Sequence, residues 1–172
     1  MAIKFGDRHW THAEYFEESC RFAALFLERL PADAPRHIAV LLDNTPDYLF
    51  AFGGAALIGG AIVGLNHTRR GEHLLRDLVH THCGVVLTEP RHEPLIATVA
   101  DRLPPILSSG RFAAPGDALP TLGASLDAAL ATHTDANDPG LDPDVDSIWA
   151  LIFTSGTSDG GRPSFARSDD CS

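Results

Sequence analysis

Apolar side chains near the start of the chain recur at helical spacing. Thr11 and Glu14 are placed as in a capping box, with threonine at the N-cap and glutamate three residues later. Behind them, aromatic and aliphatic residues repeat every three or four positions as far as Leu30. Pro31 and Pro35 follow, and proline disrupts the interior of a helix. The pattern predicts an amphipathic core helix that begins after Thr11 and ends near Leu30.

Further along the chain, continuous apolar runs typical of buried strands alternate with helical patterns. The predicted strands are 37–42, 61–65, 83–88, 105–107 and 147–153. The predicted helices are 46–58, 71–82, 93–102 and a short one within 122–131. Residues 108–146 are otherwise rich in Gly, Pro and polar residues, which indicates a loop-rich connection. This order predicts an α/β fold whose largely parallel sheet is flanked by helices on both faces.

One uncharged stretch, 49–65, raises the alternative of a membrane-associated segment. It contains a Gly60-x-x-x-Gly64 pair, but it is glycine-rich and shorter than the roughly 20 apolar residues of a spanning helix. Asn66 and two arginines follow it directly. A buried helix, a glycine turn and a buried strand are the favoured interpretation, and no integral membrane span is expected.

The charge balance of the chain excludes some partners. The 172 residues carry a formal net charge of −10, which gives no electrostatic attraction for nucleic acid or an anionic membrane surface. Three widely spaced cysteines form no disulfide framework, and the N-terminus has no apolar signal-peptide core. These observations favour a reducing, cytoplasmic location.

Isolated polar residues on the predicted helices give weaker signals. His80, His82 and Cys83 offer zinc-type ligands, but zinc usually needs four, so a solvated helix end is favoured over a metal site. Glu18 and Asp77 are interpreted as ordinary charges on helix surfaces. No metal site and no catalytic residue is therefore predicted.

The strongest chemical signal directly follows the last apolar strand. Small residues allow the backbone to curl, successive N–H groups form a concave anion site, and hydroxyls and a cation add further donors. The residues expected to bind phosphate are Thr154, Ser155, Gly156, Thr157, Ser158 and Arg162. A polar hairpin or surface loop is the weaker alternative for this segment.

A Walker A loop is a competing interpretation of the same residues. Gly156 and Gly161 have its glycine spacing. Arg162 stands where Walker A has lysine, and Pro163 replaces the Ser or Thr that binds Mg²⁺. The segment is therefore not a P-loop of that class.

The segment 153–158 resembles the signature loop of the AMP-binding superfamily, which includes acyl-CoA synthetases, luciferases and adenylation domains of peptide synthetases. Asp159 departs from the usual Gly of that loop, Gly161 from the usual Pro and Arg162 from the usual Lys. Segments 5–14, 37–48 and 58–74 also resemble the family in the correct order, and the last is closest to fatty-acyl-CoA synthetases. The resemblance spans about residues 3–162.

This resemblance implies the incomplete N-terminal part of an acyl-CoA synthetase-like large domain. Such enzymes use ATP and Mg²⁺ to convert a carboxylic acid, here a fatty acid by preference, into an acyl-adenylate, and coenzyme A then displaces AMP. Their signature loop holds the β- and γ-phosphates. Their other active-site residues come later, so this chain alone is expected to be inactive. The alternatives are a non-catalytic nucleotide- or partner-binding remnant and the membrane-associated segment.

The last ten residues differ in character from the rest of the chain. Residues 1–162 are assigned to the partial AMP-binding domain, whereas 163–172 are polar and without period, and a disordered or frameshift-derived tail is expected there. With freely chosen codons, a one-base shift from Arg162 onward restores a lysine followed by a short apolar run, as the family has after its loop. Sequencing the gene tests this interpretation.

Overall fold

A computed structural model describes residues 1–153 and 163–167. The strands are β1 Ile3–Phe5, β2 Arg8–Trp10, β3 His37–Leu41, β4 Ala61–Gly64, β5 Val85–Thr88, β6 Ile106–Ser108, β7 Ala124–Ser125, β8 Ile148–Phe153 and β9 Pro163–Arg167. The α-helices are α1 His12–Arg29, α2 Pro46–Leu57, α3 Glu72–His80, α4 Glu93–Ile96 and α5 Leu126–Ala131. A 3-10 helix, Ala97–Arg102, continues α4, so the helix predicted over 93–102 divides into two types.

Helix α1 begins at the predicted capping box. The Glu14 amide donates to Thr11 Oγ1 at 3.2 Å, and the Thr11 amide donates to the Glu14 carboxylate at 2.7 Å. Two amides that have no partner within the helix are thereby satisfied. The opposite end of α1 closes when the Leu30 amide donates to the Phe26 carbonyl at 2.8 Å, just before Pro31.

The predicted parallel sheet is confirmed. Its strand order is β7-β6-β5-β3-β4-β8-β9, and every neighbouring pair from β7 to β8 is parallel. Strands β1 and β2 form a separate antiparallel pair. Successive side chains of β3 point to opposite faces of the sheet, and both faces are covered by helices. Ile38 and Val40 join a core with α1, α2 and α5, whereas Ala39 and Leu41 join a core with α3 and α4.

The chain reverses its direction of travel across the sheet next to β3. From β3 it passes through α2 to β4 on one side, and from β5 it passes through α4 to β6 on the other. The segments that leave the carboxyl ends of β3 and β5 therefore diverge. In an open α/β sheet such a divergence leaves a crevice, and this is where ligands commonly bind.

The uncharged stretch 49–65 forms a helix, a turn and a strand, as the sequence predicts. Helix α2 ends at Leu57, Gly59 has a φ of +64°, and β4 begins at Ala61. Glycine adopts that left-handed conformation without the steric cost that a side chain brings. Within the described residues, no helix combines the length and the apolar character needed to cross a bilayer.

Residues 163–167 belong to the segment that the sequence assigns to a tail outside the partial domain, and that assignment stays a prediction. They form β9, which pairs antiparallel with β8 from Ile148↔Arg167 to Phe153↔Pro163. Without this pairing, β8 would present a row of unpaired backbone groups at the edge of the sheet. Hydrogen bonding to that edge does not require an apolar repeat, which explains why the sequence pattern gave no sign of a strand. The segment 168–172 lies outside the described residues.

Close contact between α1 and α2 depends on Gly54. An added Cβ would lie 2.6 Å from Phe22 Cβ and 2.9 Å from the Ala23 nitrogen. Gly54→Ala is expected to lower the free energy of unfolding. The overpacking penalty of about 1–3 kcal/mol exceeds the gain of about 1 kcal/mol in helix propensity. Urea denaturation measures the difference.

The exposed Ala56 on the same helix provides the matched control. Ala56→Gly is expected to cost about 1 kcal/mol through helix propensity alone. If Gly54→Ala instead stabilises the protein by the amount that Ala56→Gly costs, the packing argument is wrong.

Candidate functional site

The segment expected to bind phosphate follows β8 at the carboxyl edge of the sheet. Leu151 of β8 pairs in parallel with Val63 of β4, and Phe153 at the end of β8 is buried. A phosphate site at the edge of the sheet requires β8 to pair with the earlier strands in this way. Residues 154–162, which include Thr154, Ser155, Gly156, Thr157, Ser158 and Arg162, lie outside the described residues, so their assignment stays a prediction. In chain order they connect β8 to its antiparallel neighbour β9.

An aromatic row supports β8 from the side of α2. The ring centroids of Tyr48 and Phe52 lie 5.3 Å apart, and those of Phe52 and Trp149 lie 5.0 Å apart. The Tyr48 hydroxyl reaches the end of β4, where a Cβ on Gly64 would lie 3.2 Å from it. Burial raises the pKa of Tyr48, so the phenol is neutral and can donate a hydrogen bond at this edge.

A crevice of about 540 Å³ opens between the diverging segments after β3 and β5. Its polar wall comes from 43–45 and 89–91, and its apolar side includes the rings of Phe5 and Phe112, whose centroids lie 5.6 Å apart. Ser109 closes it next to the end of β6. The crevice therefore lies at the point where the fold predicts a ligand site.

Three ionisable side chains meet beside this crevice. His92 Nε2 lies 2.8 Å from Asp43 Oδ1 and 3.5 Å from Glu89 Oε1. The Asp43 amide donates to Glu89 Oε1 at 3.0 Å, and Arg91 Nη1 donates to Asp43 Oδ2 at 2.7 Å. Burial raises the pKa of Glu89. Burial acts in the same direction on Asp43, but His92 and Arg91 together hold the pKa of Asp43 below its usual range.

A buried ionic network holds the far wall of the crevice in place. Arg111 Nη1 donates to Asp47 Oδ1 at 2.8 Å, and Arg111 Nη2 donates to Glu18 Oε2 at 2.8 Å. Ser109 donates to Asp47 Oδ2 at 2.5 Å. Burial raises the pKa of Asp47 to about 6, although Arg111 and Ser109 act in the opposite direction. The network ties the segment after β6 to α1 and α2.

Two carboxylates that were interpreted as surface charges are in fact partly or fully buried. Glu18 faces Arg111 in the network above, and Asp77 accepts two hydrogen bonds from Arg69 at 2.9 and 3.1 Å. Asp77 is only 5% exposed. Their position on amphipathic helices suggested solvent, but each has an arginine partner from another segment that compensates its burial.

The weak metal signal at His80, His82 and Cys83 does not correspond to a cluster. The Thr81 hydroxyl oxygen lies 3.2 Å from Cys83 Sγ, and burial raises the pKa of the Cys83 thiol to about 11.

Among the described residues, Asp43, Glu89 and His92 are the group of three possible metal ligands that converge. Sequence spacing could not reveal this group because its members follow two different strands.

Comparison with known proteins gives a consistent result. The family model described as AMP-binding enzyme matches residues 1–163. A steroid-22-oyl-CoA synthetase from Rhodococcus jostii (strain RHA1) is 37% identical over 158 residues, which are 92% of this chain and 27% of that protein. A medium/long-chain-fatty-acid–CoA ligase, FadD17, from Mycobacterium tuberculosis (strain ATCC 25618 / H37Rv) is 30% identical over 91% of this chain and 28% of its own length.

Solved structures share the fold at lower identity. An anthranilate CoA ligase, AuaEII, in complex with anthranoyl-AMP superposes with a TM-score of 0.77 at 17% identity, over 96% of this chain and 30% of that one. A Brucella canis acyl-CoA synthetase gives 0.70 at 21% identity, over 91% and 28%. The chain thus spans between a quarter and a third of the proteins that it resembles.

Proposed function

Because this chain belongs to the AMP-binding enzyme family, we propose that it contributes the phosphate-binding part of an ATP-dependent acyl-CoA synthetase. The observation that supports this most directly is the family match over residues 1–163, which includes the whole segment 154–162. The proposal for the 172 residues by themselves is narrower. They bind nucleotide phosphates without completing the reaction, since the relatives are more than three times as long.

The donor chemistry of residues 154–158 fits a polyphosphate. Four hydroxyls and the backbone N–H groups around Gly156 supply hydrogen bonds, and Arg162 supplies a cation that pairs with phosphate oxygens. Strand β8 anchors the start of this segment between β4 and β9. In the proposed role these residues hold the β- and γ-phosphates, which keeps the α-phosphate open to the attacking carboxylate.

The proposed reaction joins a carboxylic acid to a thiol in two steps. ATP, with Mg²⁺, supplies the electrophilic α-phosphorus when it is bound. A carboxylate oxygen forms a bond to that phosphorus while the bond to pyrophosphate breaks, and the thiol of coenzyme A then displaces AMP. We assign large apolar acids as the substrate class, because the relatives carry the names of a steroid-22-oyl-CoA synthetase and a medium/long-chain-fatty-acid–CoA ligase. The proposed location is the cytoplasm.

The second candidate function is a nucleotide-binding protein without catalytic turnover. The unusual residues Asp159, Gly161 and Arg162 favour it, because they alter the charge and closing geometry of the segment. Pyrophosphate release, assayed with a panel of fatty and steroid acids, distinguishes the two functions in a chimaera in which residues 1–163 replace the matching part of the Rhodococcus jostii synthetase, because the 172 residues by themselves give no release under either function. Binding of ATP without any acid-dependent release supports the second.

Loss of two hydroxyls is expected to weaken ATP binding by roughly a hundredfold, because each charge-assisted hydrogen bond contributes about 1.5 kcal/mol or more. The double variant Ser155→Ala/Thr157→Ala, compared with the unaltered chain by titration calorimetry, measures this. Thr134→Ala removes an exposed hydroxyl elsewhere and is expected to leave affinity unchanged. Equal ATP affinity in all three proteins contradicts the phosphate assignment.

A further inference from the structure

We propose that Asp43, Glu89 and His92 form a binding site for a divalent transition-metal ion of the Zn²⁺ type. This site lies beside the crevice between β3 and β5, and it does not depend on the nucleotide function proposed for residues 154–162. Each residue offers one ligand atom, and the three ligand atoms all lie within 4.8 Å of one another. Two carboxylate oxygens and one imidazole nitrogen are a donor set that suits Zn²⁺.

One separation between the ligand atoms matches that around a tetrahedral ion, and a second is somewhat shorter. Bonds of about 2.0–2.2 Å to nitrogen and oxygen place neighbouring ligand atoms about 3.3–3.6 Å apart. His92 Nε2 lies 3.5 Å from Glu89 Oε1 and 2.8 Å from Asp43 Oδ1. An ion therefore requires Asp43 to move outward by less than 1 Å, roughly the difference between these separations.

The hydrogen bonding shows what an ion would replace. A carboxylate oxygen only accepts, so His92 Nε2 carries a proton that points at Asp43 and, more distantly, at Glu89. One positive ion in place of that proton compensates two carboxylates at once. The imidazole is already fixed, since its side chain is 9% exposed and its ring stacks on His67 with the centroids 6.1 Å apart.

Arg91 is the group that competes with an ion at this site. It donates to Asp43 Oδ2 at 2.7 Å, yet its own side chain is 77% exposed. A surface arginine of this kind can turn into solvent at little cost, because exposed ion pairs contribute less than about 1 kcal/mol. Its presence gives the proposal a specific consequence, namely that removing Arg91 improves metal binding.

The position in the fold provides rigidity and access. Asp43 follows β3 and Glu89 follows β5, two neighbouring strands in the centre of the sheet, so their backbones are fixed relative to each other. The amide of Asp43 orients Glu89 by donating to its Oε1, as partners outside the metal shell commonly do. Both carboxylates also line the crevice, which leaves a path for the ion and room for water as a fourth ligand.

Titration of the full chain with Zn²⁺, and with Co²⁺ followed by its visible absorption, tests the proposal. The unaltered chain is expected to bind one ion and to give the intense absorption of four-coordinate Co²⁺. His92→Ala and Asp43→Asn are each expected to weaken binding by about a hundredfold, because loss of a ligand costs at least as much as loss of its supporting partners. Circular dichroism of each variant verifies that it is folded.

Two further variants separate a built site from metal bound to surface histidines. Arg91→Ala is expected to tighten binding about twofold to fivefold, a gain that a damaged fold cannot produce. His80→Ala removes an exposed imidazole outside the cluster and is expected to change nothing. The proposal is overturned if a folded, unaltered chain binds no Zn²⁺. It is equally overturned if His80→Ala weakens binding while His92→Ala does not.

Discussion

Replacement of Phe50 by alanine is expected to lower the free energy of unfolding by about 3–5 kcal/mol, which is a large part of the 5–15 kcal/mol typical of a domain. The Phe50 side chain, on α2, is fully buried in the core that α1 and α2 share. Its ring centroid lies 5.6 Å from that of Trp10 and 6.3 Å from that of Phe22. The guanidinium of Arg111 lies 5.8 Å from the same ring. Loss of the ring therefore leaves a cavity beneath the ionic network.

Chemical denaturation followed by tryptophan fluorescence measures this loss. Leu49→Ala serves as the control, because its side chain is 45% exposed one position earlier on the same helix and its loss is expected to cost far less. Phe50→Leu keeps most of the apolar volume and is expected to fall between the two. Similar losses for Leu49→Ala and Phe50→Ala would show that the aromatic cluster does not stabilise the fold as described.

Asp47→Asn is expected to change how stability depends on pH. Burial raises the pKa of Asp47 from 3.8 to about 6, so the folded state binds the proton more tightly than the unfolded state. As pH rises from 4 to 7, the unaltered protein should lose about 2 kcal/mol relative to the variant, because its buried carboxyl must ionise. The charged groups that face this carboxyl are Arg111, Glu18 and Asp127.

The measurement is the difference in free energy of unfolding between the two proteins at pH 4, 5, 6 and 7. Taking the difference cancels the contributions of groups common to both proteins. One of these is Glu93, whose lowered pKa makes the fold more stable as pH rises. Asp33→Asn, an exposed loop substitution, is expected to show no such slope. A flat difference for Asp47→Asn would mean that Arg111 and Ser109 fully compensate the burial.

The elements of the sheet could be predicted where local sequence alone determines them. Continuous apolar runs identified β3, β4 and β5, because strands buried on both faces carry apolar residues at every position. The capping box located the start of α1 for a similarly local reason. By contrast, β7 is only two residues, Ala124–Ser125, and is defined by its pairing with β6 rather than by any pattern.

The polar interior could not be predicted in the same way. Asp47 and Arg111 are 64 residues apart, and Asp43 and His92 are 49 apart. Each partner looks like a solvated side chain until the sheet places the carboxyl ends of β3, β5 and β6 side by side. The proximity of these partners depends on the strand order β6-β5-β3. That order follows from the reversal beside β3, and residue spacing along the sequence does not reveal it. The phosphate-binding hypothesis, by contrast, could be formed from the sequence, because its residues lie close together in one segment of the chain.

The pairing of Phe153 with Pro163 makes the stability of the sheet largely independent of the residues that connect β8 to β9. Because hydrogen bonds clamp both strands that the connection joins, the intervening residues can be lengthened for little more than the entropy of a wider ring, about 0.6 kcal/mol for each doubling. The length, donor groups and charge of that connection can therefore change to suit the proposed phosphate ligand, while the strands on either side keep their own stability.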